Sequence, residues 1–455
     1  MSFKERFMTE EFIEETVYEE ICKSADKIEN VLINLRRDIH MHPETAWLEM
    51  RTSALISENL EHMGYEIISG RELYNDEHRM GLPTRAMLKE HMHMLEENNL
   101  ENYCSYITED MKDGYTGVIG ILNCGVGPVI ALRFDIDALP MEELHVKGHK
   151  PHDMGFDSIF PNMMHSCGHD CHTVTGLGVA KILSDMKDKL HGTVKLIFQP
   201  AEEGTRGAYG IVDGGHLDNV DYFASGHVSY KNDGDDFDII PGSYGALATC
   251  KYKVTFKGLS AHAGRAPEEG NSAVLCAANA VTALVGIQRH SDGISRINVG
   301  SIHGGSGCNI VPDEAFITLE VRGATDKIND FMSKRVEEIC NGAAVMQGCT
   351  CSMELLGKAP SQKSDEDLSD FIADMCTNKI KRYKVADEHQ FKNSDSEDVG
   401  FMMNHVQENG GKAVYLRLMT KMASPQHTIG FDVDESVIKC GVIVYSSLVR
   451  TLLKT

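Results

Sequence analysis

Three apolar runs constrain the fold more than any other feature of the chain: Val118-Ile-Gly-Ile-Leu122, Val129-Ile-Ala-Leu-Arg-Phe134 and Val194-Lys-Leu-Ile-Phe198. Strand-length runs with so little polar interruption fit a sheet buried on both faces, as in α/β proteins with helices on each side. The second run ends in Asp135-Ile-Asp137-Ala-Leu-Pro140 and the third in Gln199-Pro-Ala-Glu202-Glu203-Gly204. Val220-Asp-Tyr-Phe-Ala-Ser-Gly-His227 reads as a further strand edge, ending in histidine. Open α/β sheets carry their chemistry just beyond the carboxyl ends of their strands. The pattern therefore predicts three strands that deliver aspartate, paired glutamates and histidine to one edge.

The chain has 455 residues, 42% hydrophobic and 25% charged, which is the profile of a soluble globular protein with room for two to four domains. Its formal charge of −24 argues against nucleic acid or an anionic membrane as partner, and any anion site must be built locally from Arg, Lys or metal. The thirteen cysteines are odd in number and scattered, several within apolar helical patterns (Cys276, Cys340, Cys376, Cys440). Reduced thiols and a cytoplasmic location are expected. No leader segment is read at the N-terminus, and no apolar run approaches the length of a membrane span.

Residues 10–64 read as two helices, and residues 71–115 as a helical insertion whose polar helix runs over Arg85–Met111. His40, His42, His91 and His93 are left outside any metal site; His91 and His93 stand two apart and do not share a helix face. From Cys250 the order strand-helix-strand-strand-helix-strand predicts a split βαβ unit. The expected division is a first catalytic part over 1–245, an inserted α+β, ferredoxin-like lid or dimerisation domain over 246–359, and a second catalytic part over 360–455.

His165-Ser-Cys-Gly-His-Asp-Cys-His172 gathers imidazole, thiol and carboxyl groups just before a helix predicted over Thr173–Leu183. Amide hydrolysis near neutral pH needs an activated water and a stabilised oxyanion, which a pair of divalent ions supplies when deprotonated ligands and a free carboxylate base surround them. Cys167, His169, Glu202-Glu203, His227 and His427 are the available groups. Adjacent glutamates can divide the work, because neighbouring side chains point apart.

These motifs, with Lys257-Gly-Leu-Ser-Ala-His-Ala-Gly264, resemble the M20 metallopeptidase family in its amidohydrolase branch, over Arg36 to the C-terminus. Arg71-Glu-Leu-Tyr-Asn75, Arg79-Met-Gly-Leu-Pro83 and the following insertion are similar to those of its bacterial p-aminobenzoyl-glutamate hydrolases. The resemblance implies a central mixed sheet flanked by helices, of the zinc-exopeptidase kind, with the inserted domain. It implies two divalent metal ions (Zn or Mn) per subunit, held by Cys167, His169, Glu203, His227 and His427. Glu202 becomes the general base and Asp137 orients a ligand imidazole. His262 would reach a dimer mate's site to stabilise the oxyanion. Asn309 and Arg322 fall at substrate-binding positions, Arg322 as a bidentate grip on a carboxylate. Two positions depart from the pattern: Cys171 replaces glycine, adding a thiol expected beside the site, and Gln426 stands where many relatives have a second histidine. The implied activity is hydrolysis of N-acyl amino acids, p-aminobenzoyl-glutamate foremost, by a homodimer or with a related second subunit. The alternatives are a general aminoacylase or dipeptidase, and a non-catalytic partner subunit.

Overall fold

The computed structural model describes residues 3–98, 100, 106–393 and 395–454, with side chains from Val17 onward. Strands β1 (Glu66–Ser69), β2 (Val118–Asn123), β3 (Val129–Asp135), β4 (Thr193–Gln199), β5 (Tyr222–Tyr230), β6 (Ile239–Ile240) and β14 (Lys412–Thr420) form one sheet in the order β1-β2-β4-β3-β5-β14-β6. The central pairs β4–β3, β3–β5 and β5–β14 are parallel, and the outer pairs are antiparallel. The sheet is thus mixed, with the predicted apolar runs at its centre. From β3 the chain passes to β4 on one side and then to β5 on the other, which opens a crevice at the carboxyl end of β3.

The helix His169–Asp185 packs on β3 and against helices Phe3–Met41 and Ser436–Leu452. Close approach is possible because Gly176 and Gly178 face the contacts: a Cβ on Gly176 would lie 2.6 Å from the Phe134 and Phe198 rings, and one on Gly178 2.7 Å from Leu32. This helix begins four residues earlier than its apolar pattern indicates, so His169-Asp-Cys-His172 forms its first turn. Two other expectations need correction. Strand β5 continues to Tyr230, which puts His227 inside the strand rather than at its end. The helix expected over Arg85–Met111 is two, Arg85–Glu97 and Glu109–Lys112, and residues 99 and 101–105 lie outside the described part of the chain. In that segment His91 is buried on Glu44 at 2.8 Å, while His93 pairs with Glu97 on the surface.

A second sheet, β8 (Ala248–Lys257), β9 (Ser295–Gly304), β10 (Glu314–Gly323) and β11 (Thr350–Ala359), is antiparallel throughout in the order β11-β8-β10-β9. Helices Ala273–Leu284 and Asp326–Met346 share one core with it, the split βαβ arrangement that the element order predicts. Strands β7 (Gly242–Ala246), β12 (Gln362–Lys363) and β13 (Gln390–Lys392) make a small third sheet.

A buried ion network ties the ends of the chain to the His165–His172 motif. Arg36 reaches Asp170 at 2.7 Å and Asp432 at 2.9 Å, and Arg37 grips Glu435 at 2.8 and 2.6 Å. His40 lies between Asp170 (2.8 Å) and Glu143 (3.0 Å). Burial and the nearby Arg36 oppose the His40 cation, yet the two carboxylates outweigh them and raise its pKa from 6.5 to about 9. Because the folded value lies above the ordinary one, this contribution is complete below about pH 6.5 and is lost as pH rises through about 9. Urea unfolding is expected to show stability falling over that interval by an amount on the order of 3 kcal/mol. His40→Gln should flatten this part of the profile, and an unchanged pH slope in the variant would refute the assignment.

Candidate metal centre

Four adjacent parallel strands converge on one edge. Strand β3 ends at Asp135 and leads to Asp137, β4 leads to Glu202-Glu203, β5 carries His227 and β14 carries Arg417. Opposite them begins the helix that bears His169, preceded by Cys167. Between these two stands Gly168, at φ +99°, where a Cβ would lie 2.4 Å from the Val228 side chain; only glycine fits.

Cys167, His169 and Glu203 hold ligand-competent atoms within 4.8 Å of one another, and so do Asp135, His169, His172 and His227. His227 Nε2 lies 3.4 Å from Cys167 Sγ, and His427 Nε2 lies 3.4 Å from the same sulfur and 3.3 Å from Glu203 Oε1. The five residues expected as ligands are thus brought together. Their tautomers follow from their other contacts. His227 Nδ1 donates to Val228 O at 2.6 Å, and His169 Nδ1 donates to Asp137 O at 2.9 Å with Asp137 Oδ1 at 3.3 Å, so both Nε2 atoms face the cluster as lone pairs. His169 Nε2 is buried without a hydrogen-bond partner among the described residues, and Glu203 Oε1 is buried with only His427 Nε2 near it, at 3.3 Å. Imidazole nitrogen and carboxylate oxygen beside a thiol form a donor set suited to divalent ions such as zinc. The residues present fit a metal.

The remaining motif residues are engaged elsewhere. His172 Nδ1 pairs with Asp135 and its Nε2 accepts from Val228 N at 3.0 Å. Asp135 also takes Arg133 Nη1 at 2.7 Å. His165 is buried and held neutral, its pKa pushed down to about 3 chiefly by that burial. Cys171, expected beside the site, instead lies in the hydrophobic core behind it, where burial raises its thiol well above the usual range. Gln426 donates its amide to Cys167 O at 3.2 Å and Val228 O at 3.3 Å, which braces the loop carrying His427.

Asp137 organises the glutamate turn. Its two carboxylate oxygens accept from Glu202 N at 3.0 Å and Glu203 N at 2.9 Å. Ala201 N donates to Glu49 Oε1 at 2.8 Å. The turn is held in a strained form, with Ala201 at φ +55° and Thr205 at φ +63°, and His427 is likewise at φ +60°. Burial, Glu397 and Glu203 push the Glu202 carboxyl well above its ordinary range, and burial with Glu203 and Glu202 does the same to the Cys167 thiol. Such concentrated like charge is the electrostatics of a cation site.

The cluster floors a cavity of about 380 Å³ that lies between the two large sheets. Its wall adds Lys251 from β8, Arg322 from β10, Arg417 from β14, and Glu397. The Arg322 fork is occupied by Glu320, at 2.8 and 3.1 Å, rather than open as expected for a carboxylate grip. His262 and Asn309 do not reach this cavity; both are exposed and adjacent to each other, with Ala263 N donating to Asn309 O at 3.1 Å. A larger, shallower hollow of about 840 Å³ near Asp326 and Asp365 holds none of these groups. A surface trio, His145, His152 and Asp157, is accounted for by two hydrogen bonds from the histidines to one Asp157 oxygen, at 2.6 and 2.8 Å.

Sequence reasoning missed Lys251, Arg417, Glu397 and Asp398. The available signal for Arg417 was an arginine inside an apolar strand, as at Arg133. Asp398 is a buried hub that accepts from Gln199 Nε2 at 2.9 Å and from Gly207 N and Ala208 N at 3.0 Å.

Residues 131–451 match the model of peptidase family M20/M25/M40. The chain is 39% identical over 423 residues to one of the subunits of p-aminobenzoyl-glutamate hydrolase from Escherichia coli (strain K12), covering 93% of this chain and 95% of that protein. It is 38% identical over 409 residues to indole-3-acetyl-aspartic acid hydrolase of Enterobacter agglomerans, covering 90% and 92%. Its structure is similar to the crystal structure of the aminobenzoyl-glutamate utilization protein from Klebsiella pneumoniae, with TM-score 0.79 and 30% identity over 94% of this chain and 97% of that one.

Removing the Asp137 carboxylate would leave two backbone N–H groups unpaired at the glutamate turn. Asp137→Ala is expected to lower unfolding free energy by roughly 2–4 kcal/mol in metal-free urea titrations. A loss under about 0.5 kcal/mol, within the scatter of surface substitutions, would contradict this role.

Proposed function

Since the chain belongs to peptidase family M20/M25/M40 and is a metal-dependent hydrolase of amide bonds, we propose that it cleaves N-aroyl-glutamates, p-aminobenzoyl-glutamate foremost, into the aromatic acid and glutamate. One observation carries the substrate class. In a chain of net charge −24, the cavity that holds the metal-competent residues sets three cations, Lys251, Arg322 and Arg417, beside the acids Glu202, Glu203, Asp395 and Glu397. An acidic protein gathers cations at one site when the ligand is itself anionic, and an N-acyl glutamate carries two carboxylates. The relatives named for p-aminobenzoyl-glutamate and indole-3-acetyl-aspartate support the same class.

In this reading Cys167, His169, Glu203, His227 and His427 hold two divalent ions. The chemistry such ions supply is polarisation of the scissile carbonyl and acidification of water. Glu202, 3.9 Å from His169 Nε2 through its Oε2, is the general base: its carboxylate accepts a proton from the attacking water and returns it to the glutamate nitrogen as the amide breaks. Asp137 keeps both glutamates and the His169 ring in register. Arg322 and Lys251 face the substrate carboxylate from the second sheet, provided Arg322 exchanges its Glu320 partner for substrate. His262 and Asn309, exposed together on the 246–359 lid or dimerisation domain, serve the cavity of a partner copy, so the working unit is a dimer of this chain or a pair with a related subunit.

Glu202→Gln is expected to lower kcat for p-aminobenzoyl-glutamate by about 10²–10⁴-fold with metal content unchanged. Equal activity in variant and wild type would end the hydrolase mechanism stated here, and faster wild-type turnover of N-acetyl-methionine or Gly-Gly would replace the substrate. Mixing inactive Glu202→Gln with inactive His262→Ala should restore about a quarter of wild-type activity after subunit exchange, since half the dimers then hold one intact site. No recovery despite exchange would place His262 outside the partner's site.

A further inference from the structure

Arg417 is the cavity residue whose present contacts leave most unexplained. It pairs in parallel register with His227, so the two side chains rise on the same face of neighbouring strands, about 4.8 Å apart in backbone. Its residue exposure is 6%, yet Nε and Nη2 have no hydrogen-bond partner among the described residues, and Nη1 reaches only Ser229 Oγ at 3.4 Å. The guanidinium carbon lies over the Phe391 and Tyr415 rings, 5.5 and 5.2 Å from their centroids.

The other arginines around the cleft differ. Arg133 is spent on Gln199, Asp135 and Asp398, and the Arg322 fork is on Glu320. Arginine stays charged at any physiological pH, so burying its fork without an acceptor is unfavourable unless the site is made for one. A planar fork lying over two rings and opening on a cavity matches the geometry of a carboxylate. Glu397, also buried in that wall, is the alternative: Arg417 could serve only to keep Glu397 ionised.

We propose that Arg417 receives the side-chain carboxylate of an acidic N-acyl amino acid and thereby selects glutamyl over glutaminyl substrates. The proposal rests on the amidohydrolase reading above. Lys251 and Arg322, on the opposite wall, are left to the α-carboxylate. Arg417 is a specificity residue in this scheme and takes no part in proton transfer.

The test compares wild type, Arg417→Met and Arg417→Lys on p-aminobenzoyl-glutamate, p-aminobenzoyl-glutamine and the α-amide p-aminobenzoyl-isoglutamine, with metal content and thermal unfolding measured for each protein. In wild type the glutamate substrate should exceed the glutamine one in kcat/KM by about 10²-fold or more, because a fork built for a carboxylate is left unpaired by the amide. In Arg417→Met that ratio should collapse towards one, mainly through KM, with Arg417→Lys intermediate and the isoglutamine discrimination preserved. Binding of free L-glutamate, followed by calorimetry without turnover, should weaken at least about tenfold while L-glutamine binding holds.

Equal losses on glutamate and glutamine substrates would overturn the proposal in favour of support for Glu397. Collapse of the isoglutamine discrimination instead would move Arg417 to the α-carboxylate and overturn it too. A wild type inert on every N-acyl amino acid would sink the hydrolase reading alone; Arg417 would then stand or fall by L-glutamate binding, and equal affinity in wild type and Arg417→Met would reject it.

Discussion

The carboxylate of Asp137 is the contact on which the candidate centre depends. It stands beyond the carboxyl end of β3, takes the backbone N–H groups of both Glu202 and Glu203, and faces the His169 ring. One side chain thereby sets the relative positions of groups from two strands and a helix. It works because it is buried: away from water, two charge-assisted hydrogen bonds outweigh the strain of a turn with Ala201 and Thr205 at positive φ. Gly168 does the complementary work opposite, since any side chain there would collide with Val228 and part Cys167 from His169.

Around this anchor the fold sorts charge by depth. The buried acids behind the site are matched by arginine: Arg133 with Asp135 and Asp398, Arg36 with Asp170 and Asp432. The acids at the cavity floor, Glu202, Glu203 and Glu397, have no such complete matching. That difference separates structural ion networks from a site that takes ligands, although both perturb ionisation strongly. His40 and His172 illustrate the first kind, each with both ring nitrogens committed. His169 and His227, which keep an Nε2 turned to the cluster, illustrate the second.

The cavity belongs to both large sheets. Lys251 and Arg322 come from β8 and β10 of the smaller one, so its position relative to the larger sheet sets how close these cations stand to Cys167 and Glu203. His262 and Asn309 sit on that same unit but away from this cavity, and the chain by itself does not unite all the residues that its motifs single out.

Much of this is legible in the order of residues alone, because local physics suffices for it. Strand-length apolar runs that end in turn residues fit strands of a doubly covered sheet, and the chemistry at the ends of β3 and β4 follows from the topology of such sheets. The dense His165–His172 motif announces a cluster within eight residues. Other features give little local signal. Arg417 looks like a single polar interruption in an apolar strand, Lys251 like one of several polar positions in an alternating strand, and Glu397-Asp398 like one more acidic pair in an acidic chain. Cys171 looks like part of the site because it is adjacent in sequence, but a helix turns successive residues through about 100°, which sends it to the core. The sequence by itself determined the strands, their polar ends and the set of metal-competent residue types. The tertiary structure alone decided which carboxylates are neutralised and which face the cavity, because that depends on partners more than a hundred residues away, such as Arg133 with Asp398 and Arg36 with Asp170.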